Sequence, residues 1–258
     1  MIRIVLLGAA GRMGRAITDA AAGQADLEIK ASVDRAENLQ RSPGVWRESL
    51  DGTLEAGDVV VEFSSPEACR DAAQRCAKAR AGLVSGTTGL GPEDEAELRR
   101  ASNSVAILRA SNFSLGVLAL RRALAAALSA APSSWDIEIV ERHHRGKVDS
   151  PSGTALTLAA DAASGRGYGA GSVRTGRSGH TGARPTAEIG VSSVRGGTWI
   201  GDHEVLLAGE GEWLELRHVA SDRGAFARGA LAAARFVASA PPGLYSLEDV
   251  VGGRPSGR

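Results

Sequence analysis

The stretch that decides the fold is MIRIVLLGAAGRMG, residues 1–14. Residues 2–7 form a continuous apolar run of β-branched side chains and leucine, as expected of a strand that is buried on both faces. The run breaks at Gly8, and a helical pattern follows from Arg12 to Ala22, where Gly23 ends it. A strand, a glycine-rich turn and a helix in this order predict the first unit of a parallel α/β sheet.

The same alternation of short apolar strands and longer helices continues through the first half of the chain. After the first strand at 2–7, strands are predicted at 27–33, 59–63, 82–85 and 105–108, and helices at 12–22, 66–81 and 92–101. This alternation predicts a doubly wound, Rossmann-like parallel sheet up to about Ser111.

The pattern changes in the second half of the chain. Helices are predicted at 115–128, 152–163 and 225–239, and strands at 135–141, 187–194, 203–208 and 213–219. A glycine-containing turn joins the last two strands, which favours a second α+β domain with a mixed or antiparallel sheet. Residues 164–182 are rich in Gly, Arg and Ser and have no apolar period, so they are predicted to be a functional or mobile loop.

Composition excludes several classes of protein. The 258 residues carry 30 Lys+Arg and 30 Asp+Glu, and this balance argues against a general nucleic-acid or anionic-membrane binder. The first apolar run is too short for a signal peptide or a membrane span, so we expect a cytoplasmic protein. Cys69 and Cys76 lie in one predicted helix, roughly 10 Å apart along its axis. That separation is beyond disulfide reach and agrees with a reducing compartment.

The glycine turn predicts a dinucleotide site. Gly8, Gly11 and Gly14 have the spacing GxxGxxG, which departs from the stricter GxGxxG. Glycine lets the backbone approach a pyrophosphate, and the helix that follows offers free NH groups. An ordinary strand–helix turn is the alternative. Asp34 ends the second strand 20 residues after Gly14, where a carboxylate can accept hydrogen bonds from the adenosine ribose, and this favours a dinucleotide.

The cofactor's type is less constrained. Arg35 follows Asp34, and a guanidinium there suits a 2′-phosphate, so NADH and NADPH both remain possible; a solvated charge is the alternative. The segment 86–89, GTTG, follows a strand and can meet the nicotinamide end, or can be an ordinary turn. The Tyr-xxx-Lys pair of short-chain dehydrogenases is absent, as is a Walker A loop.

The most informative stretch is ERHHRGKVDSPSGTA, residues 141–155. Its two His, two Arg and one Lys suit a small anionic substrate. Ser152, Gly153 and Thr154 stand at a predicted helix N-terminus, where hydroxyl and NH groups can bind a carboxylate or simply cap the helix. A histidine can shuttle protons near neutral pH, and a lysine among cations suits acid catalysis. His143 and His144 point to opposite faces of a strand and lack further ligands, so no metal site is predicted.

The run HHRGKVDSPSGTAL, together with GAAGRMG, GTTG, SNFSLGV, IGDHEV and ASDRGAFARGA, resembles the 4-hydroxy-tetrahydrodipicolinate reductase family. The similarity runs in order over nearly the whole chain. The HHxxKxDxPSGTA pattern is specific to that family, whereas the glycine turn is generic. The resemblance implies NAD(P)H-dependent reduction of 4-hydroxy-tetrahydrodipicolinate to tetrahydrodipicolinate with loss of water, in the diaminopimelate route to lysine.

The resemblance also implies roles for individual residues. His143 would be the proton donor or acceptor and Lys147 the proton donor. The residues that would bind the substrate's carboxylates are His144, Gly153 and Thr154. Those that would bind the cofactor are Gly8, Ala9, Ala10, Gly11, Arg12 and Met13 at the pyrophosphate, Asp34 at the ribose, Arg35 at a 2′-phosphate, and Gly86, Thr87, Thr88, Ala110, Ser111, Asn112 and Phe113 at the nicotinamide end.

The resemblance further implies a dinucleotide-binding domain at 1–113 and 224–258. It also implies a substrate-binding and oligomerisation domain at 114–223, and a homotetramer formed through the second sheet. Four positions depart from the commonest family pattern. Asp34, Glu62 and Ser150 stand where Glu, Asp and Ala respectively are frequent, and Ser65 stands where some members have a cofactor-facing Arg. We expect both cofactors to be used, with a modest preference for NADH. The alternatives are another two-domain NAD(P)-dependent amino-acid dehydrogenase and a non-catalytic dinucleotide sensor.

Overall fold

The computed structural model describes residues 1–41 and 45–252. The chain folds into two compact units. The first comprises Met1–Leu115 and the C-terminal segment from Arg223 onward, and the second comprises Gly116–Asp222.

The strands, in chain order, are β1 (Ile2–Leu7), β2 (Leu27–Val33), β3 (Trp46–Arg47), β4 (Val59–Glu62), β5 (Gly82–Ser85), β6 (Ala106–Arg109), β7 (Asp136–His143), β8 (Val173–Thr175), β9 (Ile189–Arg195), β10 (Gly201–Ala208), β11 (Trp213–Ala220) and β12 (Gly243–Tyr245). The helices are α1 (Arg12–Ala21), α2 (Pro66–Ala79), α3 (Pro92–Ser102), α4 (Leu115–Ala130), α5 (Gly153–Arg166), α6 (Gly224–Val237) and α7 (Leu247–Gly252). Short 3₁₀ turns lie at Ala36–Arg41 and Ala170–Ser172.

The first unit is built on a seven-stranded sheet in the order β12-β6-β5-β4-β1-β2-β3, and every pair of neighbours is parallel. The strand order reverses between β1 and β4, which is the switch point where ligands bind in doubly wound sheets. The second unit holds a five-stranded sheet in the order β11-β10-β7-β9-β8, with antiparallel and parallel pairs. The predicted fold class, a Rossmann-like parallel sheet with a second mixed-sheet α+β domain, is confirmed.

Burial alternates along β7. Ile137, Ile139, Glu141 and His143 are buried, and the residues between them are half-buried. The buried side chains of β7 point to the face that α4 and α5 cover, because successive strand residues face opposite sides of a sheet. Near the end of β7 this face changes from aliphatic to ionisable, and this change places Glu141 and His143 at the edge of an apolar core.

Several short elements differ from the sequence-based expectation. β3 and β12 were not predicted, because strands of two or three residues carry no period of their own and form by pairing with a longer neighbour. The six-residue helix α7 was not predicted either, and it is too short to show a helical period. The prediction of one long loop at 164–182 is wrong in part. α5 continues to Arg166, and Val173–Thr175 pairs in parallel with β9. Beyond this strand, Arg177 donates hydrogen bonds to Glu138 and Glu188.

The two cysteines are free, as the helical spacing predicted. Both are completely buried and belong to the apolar cluster between the parallel sheet and its helices. Burial raises the pKa of the Cys69 thiol to about 12, and it also raises that of Cys76. The two side chains therefore act as small apolar packing groups at neutral pH.

A buried carboxylate joins three strands of the parallel sheet. Asp58 lies directly before β4 and has no exposed side-chain surface. Its oxygens accept hydrogen bonds from Arg3 Nε on β1 at 2.6 Å and from Lys30 Nζ on β2 at 2.8 Å. Burial acts to raise the pKa of Asp58, but the hydrogen bonds from Lys30 and Arg3 outweigh it and hold the pKa below its usual value.

No helix in the described part of the chain is long and apolar enough to cross a membrane.

We expect Asp58→Asn to lower the free energy of unfolding at pH 7 by about 2 kcal/mol, since it leaves two cations without their buried partner and both cations are partly exposed. The carboxylate's pKa is depressed in the folded state, so its contribution is present above about pH 4 and is lost as the pH falls further. The difference between the two proteins in urea denaturation should therefore shrink in acid.

Glu55→Gln is the matched control for this prediction. Glu55 contacts the same Arg3 and Lys30 but is 65% exposed, so its loss should cost under about 0.5 kcal/mol. Equal losses in the two variants would contradict a special role for the buried carboxylate.

Candidate functional site

A cleft of about 480 Å³ opens in the first unit beyond the carboxyl ends of β1, β2 and β4. It is lined by residues of the glycine turn, of the segment after β2 and of the segment after β4, among them Gly8, Ala10, Gly11, Asp34, Arg35, Phe63, Ser64 and Ser65. This is the position at which open α/β sheets bind nucleotides.

Two glycines of the turn cannot carry a side chain. Gly8 has φ +78°, and a Cβ there would overlap the carbonyl oxygen of Phe63. A Cβ on Gly14 would overlap the carbonyl oxygen of Ala9, so this glycine lets α1 pack closely on the turn. Arg12 and Met13 begin α1, and the amides of a first helical turn have no partner within the helix. The amides of Gly8, Ala9, Ala10 and Gly11 are themselves used in hydrogen bonds. The turn therefore forms a narrow cradle that leads to the first amides of α1, which fits a dinucleotide pyrophosphate.

Asp34 is fixed at the wall of this cleft. Its carboxylate accepts hydrogen bonds from Ala10 N at 2.9 Å and from Asn38 Nδ2 at 2.7 Å. The amide of Ala10 is thus used to hold Asp34. Arg35, by contrast, has 83% of its side chain exposed and contacts Glu37 at 3.4 Å. Arg35 thus follows Asp34 in the chain with a side chain that lies mostly in solvent.

The two predicted nicotinamide-end segments follow adjacent parallel strands. Gly86–Thr88 follows β5, 110–113 follows β6, and Ala110 N donates to Ser85 O at 3.1 Å. Thr88 and Ser111 are exposed, whereas Thr87 and Phe113 are buried. Phe113 packs edge-on against Phe63, with ring centroids 5.4 Å apart.

A second buried carboxylate organises the end of β4. Glu62 is completely buried and accepts hydrogen bonds from Ser64 Oγ at 2.8 Å, Ser85 Oγ at 2.5 Å and Thr87 Oγ1 at 2.7 Å. Ser64 N in turn donates to Thr87 Oγ1 at 3.0 Å. The hydroxyl of Thr87 therefore contacts Glu62 and the backbone of Ser64, and it holds this part of the cleft wall in place.

The second unit brings its predicted site residues together in the single connection between β7 and α5. β7 ends at His143, and α5 begins at Gly153. Ser152 caps the helix: its Oγ accepts a hydrogen bond from Ala155 N at 3.2 Å. The capping alternative is thus correct for Ser152. Gly153 is exposed with open space around its Cα, and Thr154 is half-buried beside it.

Glu141 is the centre of this connection, and the sequence analysis missed it. The side chain is completely buried, and its Oε2 lies 2.5 Å from His143 Nδ1. Both carboxylate oxygens accept hydrogen bonds from Arg195, at 2.8 and 2.7 Å, and Oε1 also accepts from Ser152 N at 3.1 Å. Burial acts to raise the pKa of Glu141, but these partners, Arg195 foremost, lower it to about 2. Glu141 is therefore a carboxylate at any working pH.

His143 is largely neutral near pH 7. Burial lowers its pKa, the positive charges of Lys147 and Arg195 lower it further, and Glu141 acts in the opposite direction. An ionised Glu141 only accepts hydrogen bonds, so His143 Nδ1 must be the donor. His143 Nε2 is then left with its lone pair, which is the state of a proton acceptor.

A second histidine packs against His143. The ring of His203 lies edge-on to that of His143, with centroids 5.1 Å apart, and its Nε2 lies 3.1 Å from Ser152 Oγ. Burial lowers the pKa of His203 to about 4, so this ring is neutral as well. His203 lies on a predicted strand, within the IGDHEV segment of the family resemblance, but no site role was predicted for it.

Lys147 and His144 complete the group. Lys147 Nζ contacts both carboxylate oxygens of Asp149, at 2.7 and 2.9 Å, and its backbone N donates to His144 O. His144 N donates to Trp199 O at 2.8 Å, which ties this segment to the turn between β9 and β10. Within residues 1–41 and 45–252, no group of three or more His, Cys, Asp and Glu side chains is placed to hold a metal ion.

Family models match both parts of the chain. Residues 2–113 match the model described as dihydrodipicolinate reductase, N-terminus, and residues 116–251 match the model described as dihydrodipicolinate reductase, C-terminus. The chain is 44% identical over 258 residues to the 4-hydroxy-tetrahydrodipicolinate reductase of Caulobacter vibrioides, covering 97% of each chain. It is 42% identical over 267 residues to that of Rhizobium meliloti, again covering 97% of each.

Solved structures agree in fold. A dipicolinate-bound dihydrodipicolinate reductase from Paenisporosarcina sp. TG-14 superposes with a TM-score of 0.77 at 24% identity, covering 95% of this chain and 97% of that one. The C. glutamicum DAP dehydrogenase reaches 0.54 at 15% identity, covering 95% and 92%. The resemblance inferred from the motifs is thus confirmed, and the chain belongs to the dihydrodipicolinate reductase family of nicotinamide-dependent oxidoreductases.

Proposed function

We propose that this protein reduces 4-hydroxy-tetrahydrodipicolinate to tetrahydrodipicolinate with loss of water, as the reductase of the diaminopimelate route to lysine. The observation that carries the proposal is the connection between β7 and α5. It places a neutral histidine with a free Nε2, a lysine and an open helix N-terminus in one short segment. The curated relatives named for this reaction match the chain over almost its full length.

The substrate class follows from the charges of this connection. His144, Gly153 and Thr154 bind the carboxylates of a small dicarboxylate, and Lys147 adds positive charge nearby. The first amides of α5 are suited to an anion, and the open space at Gly153 lets a carboxylate approach the backbone. That a solved relative is named as dipicolinate-bound supports this substrate class.

The chain's own groups supply the protons. The bound nicotinamide supplies a hydride, and the overall reduction also consumes one proton and releases one water. Lys147, as an ammonium group, is the proton donor. His143 accepts or returns a proton through Nε2, which suits a ring whose pKa lies near or below neutrality.

The cofactor binds along the first unit. We assign the dinucleotide-binding domain to residues 1–113 and 224–258, and the substrate-binding domain to residues 114–223. Gly8 to Met13 hold the pyrophosphate, and Asp34 accepts hydrogen bonds from the adenosine ribose. Arg35 meets a 2′-phosphate when NADPH is bound, and its exposed side chain supports this role. The nicotinamide end is lined by Gly86, Thr87, Thr88, Ala110, Ser111, Asn112 and Phe113. Both cofactors serve, with a modest preference for NADH.

A cytoplasmic homotetramer formed through the second sheet is part of the same proposal. Trp213, 67% exposed, and Val219, 57% exposed, lie on one face of β11. Large exposed apolar side chains in register on a sheet edge support self-association there. The alternatives, an amino-acid dehydrogenase or a non-catalytic sensor, share the first unit but give no use for His143 and Lys147.

The reaction itself is tested by following absorbance at 340 nm. Purified protein receives NADH or NADPH together with substrate generated in situ by a dihydrodipicolinate synthase from pyruvate and aspartate semialdehyde. We expect oxidation that depends on the synthase. Nucleotide binding without such oxidation would overturn the proposal and favour the sensor, and oxidation with ammonia and an oxo-acid instead would favour the amino-acid dehydrogenase.

We expect His143→Ala and Lys147→Ala each to lower kcat by about 100- to 10,000-fold, because each removes a proton-transfer group. The KM for the nicotinamide cofactor should stay nearly constant, since the cofactor is bound by the other unit. Steady-state kinetics with the synthase-coupled assay measures both values. His180→Ala and Lys78→Ala, which change the same residue types elsewhere in the chain, should keep normal turnover. Near-normal turnover of both site variants would refute the assigned roles.

Arg35→Ala should lower kcat/KM for NADPH by about 10-fold and leave that for NADH almost unchanged. The guanidinium contributes an exposed charge–phosphate contact worth on the order of 1 kcal/mol, and NADH lacks that phosphate. The ratio of the two kcat/KM values measures the effect, and the NADH reaction is the internal control. Equal losses with both cofactors would show that Arg35 acts on the turn and not on the phosphate.

A further inference from the structure

The β7–α5 connection rests on a pair of oppositely charged side chains to which no role has yet been given, one of them buried and the other partly buried. Glu141 and Arg195 are joined by two hydrogen bonds of 2.7 and 2.8 Å. Both are withdrawn from solvent: the Glu141 side chain has no exposed surface and that of Arg195 is 20% exposed. Burying such a pair has a large desolvation cost, and in many proteins an uncharged pair of similar volume is at least as stable. A buried ion pair that contacts a candidate proton-transfer group therefore calls for a functional reason.

We propose that Glu141 is the positioning residue of His143 and that Arg195 locks Glu141 in place, so that His143 presents Nε2 to the substrate. The inference rests on the proposed function and extends it. Glu141 touches neither substrate nor cofactor in this proposal, and it acts only through the imidazole.

The geometry supports each step. Glu141 and His143 are two residues apart on β7, so their side chains leave the strand on the same face. The Nδ1–Oε2 distance of 2.5 Å makes the carboxylate a direct partner of the ring. A carboxylate that accepts from Nδ1–H fixes both the tautomer and the ring orientation, and it stabilises the imidazolium that forms when Nε2 takes up a proton.

Arg195 is placed to hold the carboxylate by strand pairing. It lies opposite His143 in the parallel pair of β7 and β9. It contacts Glu141 with two nitrogens, and its Nη2 also donates to Asp149 O at 2.7 Å. This bidentate contact prevents the carboxylate from rotating away from His143. The contact with Asp149 links the same pair to the segment that carries Lys147.

The titratable and charged groups that face His143 are Glu141, Lys147, Arg195 and the neutral ring of His203. Glu141 favours the charged ring and Arg195 disfavours it. Removing each partner should therefore move the pKa of His143 in opposite directions, although both removals disturb its position. A merely structural pair would not produce this opposite response.

The first experiment measures the pH dependence of kcat in Glu141→Gln and Arg195→Met. We expect each variant to lose on the order of 100-fold in kcat, the low end of what a proton-transfer residue contributes, with the cofactor KM unchanged. In the plot of kcat against pH, the limb that reports the titration of His143 is the one that disappears in His143→Ala. This limb should move to lower pH by about 1 pH unit or more in Glu141→Gln. It should move to higher pH in Arg195→Met.

Glu138→Gln is the matched control. Glu138 lies on the same strand and is paired with Arg177 and Arg184, but it points to the opposite face of the sheet. The same chemical change there should leave kcat and the pH profile as in the wild type.

If Glu141→Gln fails to fold, Glu141→Asp is the second variant. It keeps the charge and withdraws the carboxylate by one methylene. It should lower kcat without moving the His143 limb of the pH profile to lower pH.

A double-mutant cycle tests whether Glu141 acts through His143. In the His143→Ala background, Glu141→Gln should lower kcat by less than about 3-fold further, because its partner is already gone. Multiplicative losses, or a Glu141→Gln protein with wild-type kcat and profile, would overturn the proposal.

Nitrogen NMR of ¹⁵N-histidine-labelled protein gives a readout that does not depend on activity. His143 should titrate from an Nδ1–H neutral form, and its pKa should fall in Glu141→Gln. If the wild type shows no synthase-dependent oxidation, the proposed function fails, and these spectra still decide the role of Glu141. An Nε2–H tautomer in the wild type would overturn the positioning role even in an active enzyme.

Discussion

The contact between Glu141 and Arg195 is the interaction on which the second unit's site depends. It joins β7 to β9. The Glu141 carboxylate also holds the ring of His143 through Nδ1 and accepts a hydrogen bond from the amide of Ser152 at the start of α5. Because the pair is withdrawn from solvent, its charges interact more strongly than an exposed pair would. One buried carboxylate thereby fixes the end of a strand, the start of a helix and the tautomer of a histidine.

Buried carboxylates recur at three decisive places in this chain, with three different kinds of partner. Asp58 meets two cations and fixes the register of β1, β2 and β4. Glu62 meets three hydroxyls and shapes the wall of the nucleotide cleft. Glu141 meets a guanidinium, an imidazole and an amide. In each case the hydrogen bonds offset the cost of removing the carboxylate from water, and they fix the positions of the groups that it contacts.

Parts of the site that looked alike in sequence have separate uses in the structure. Ser152, Gly153 and Thr154 form one short motif, yet Ser152 caps α5 and binds His203, whereas Gly153 leaves open space at the helix start. Thr87 and Thr88 are neighbours, yet the hydroxyl of Thr87 faces the buried Glu62 and Thr88 is exposed. Burial, which sequence patterns show only coarsely, separates these supporting side chains from those that face solvent.

The sequence by itself determined the fold class, the long strands and helices and the family, because apolar periodicity, turn glycines and the spaced HHxxKxDxPSGTA run are local signals. It also carried one unused clue, since Glu141 ends a predicted strand and His143 follows it two residues later. Tertiary structure alone decided the rest. β3, β8 and β12 exist only through pairing with a neighbour, and Arg195 reaches Glu141 only because β9 pairs with β7. The contact between Arg195 and Glu141 joins residues 54 positions apart, and the pairing of Gly243 with Ala106 joins residues farther apart still. The energy of these contacts comes from burial and hydrogen bonding that no local pattern encodes.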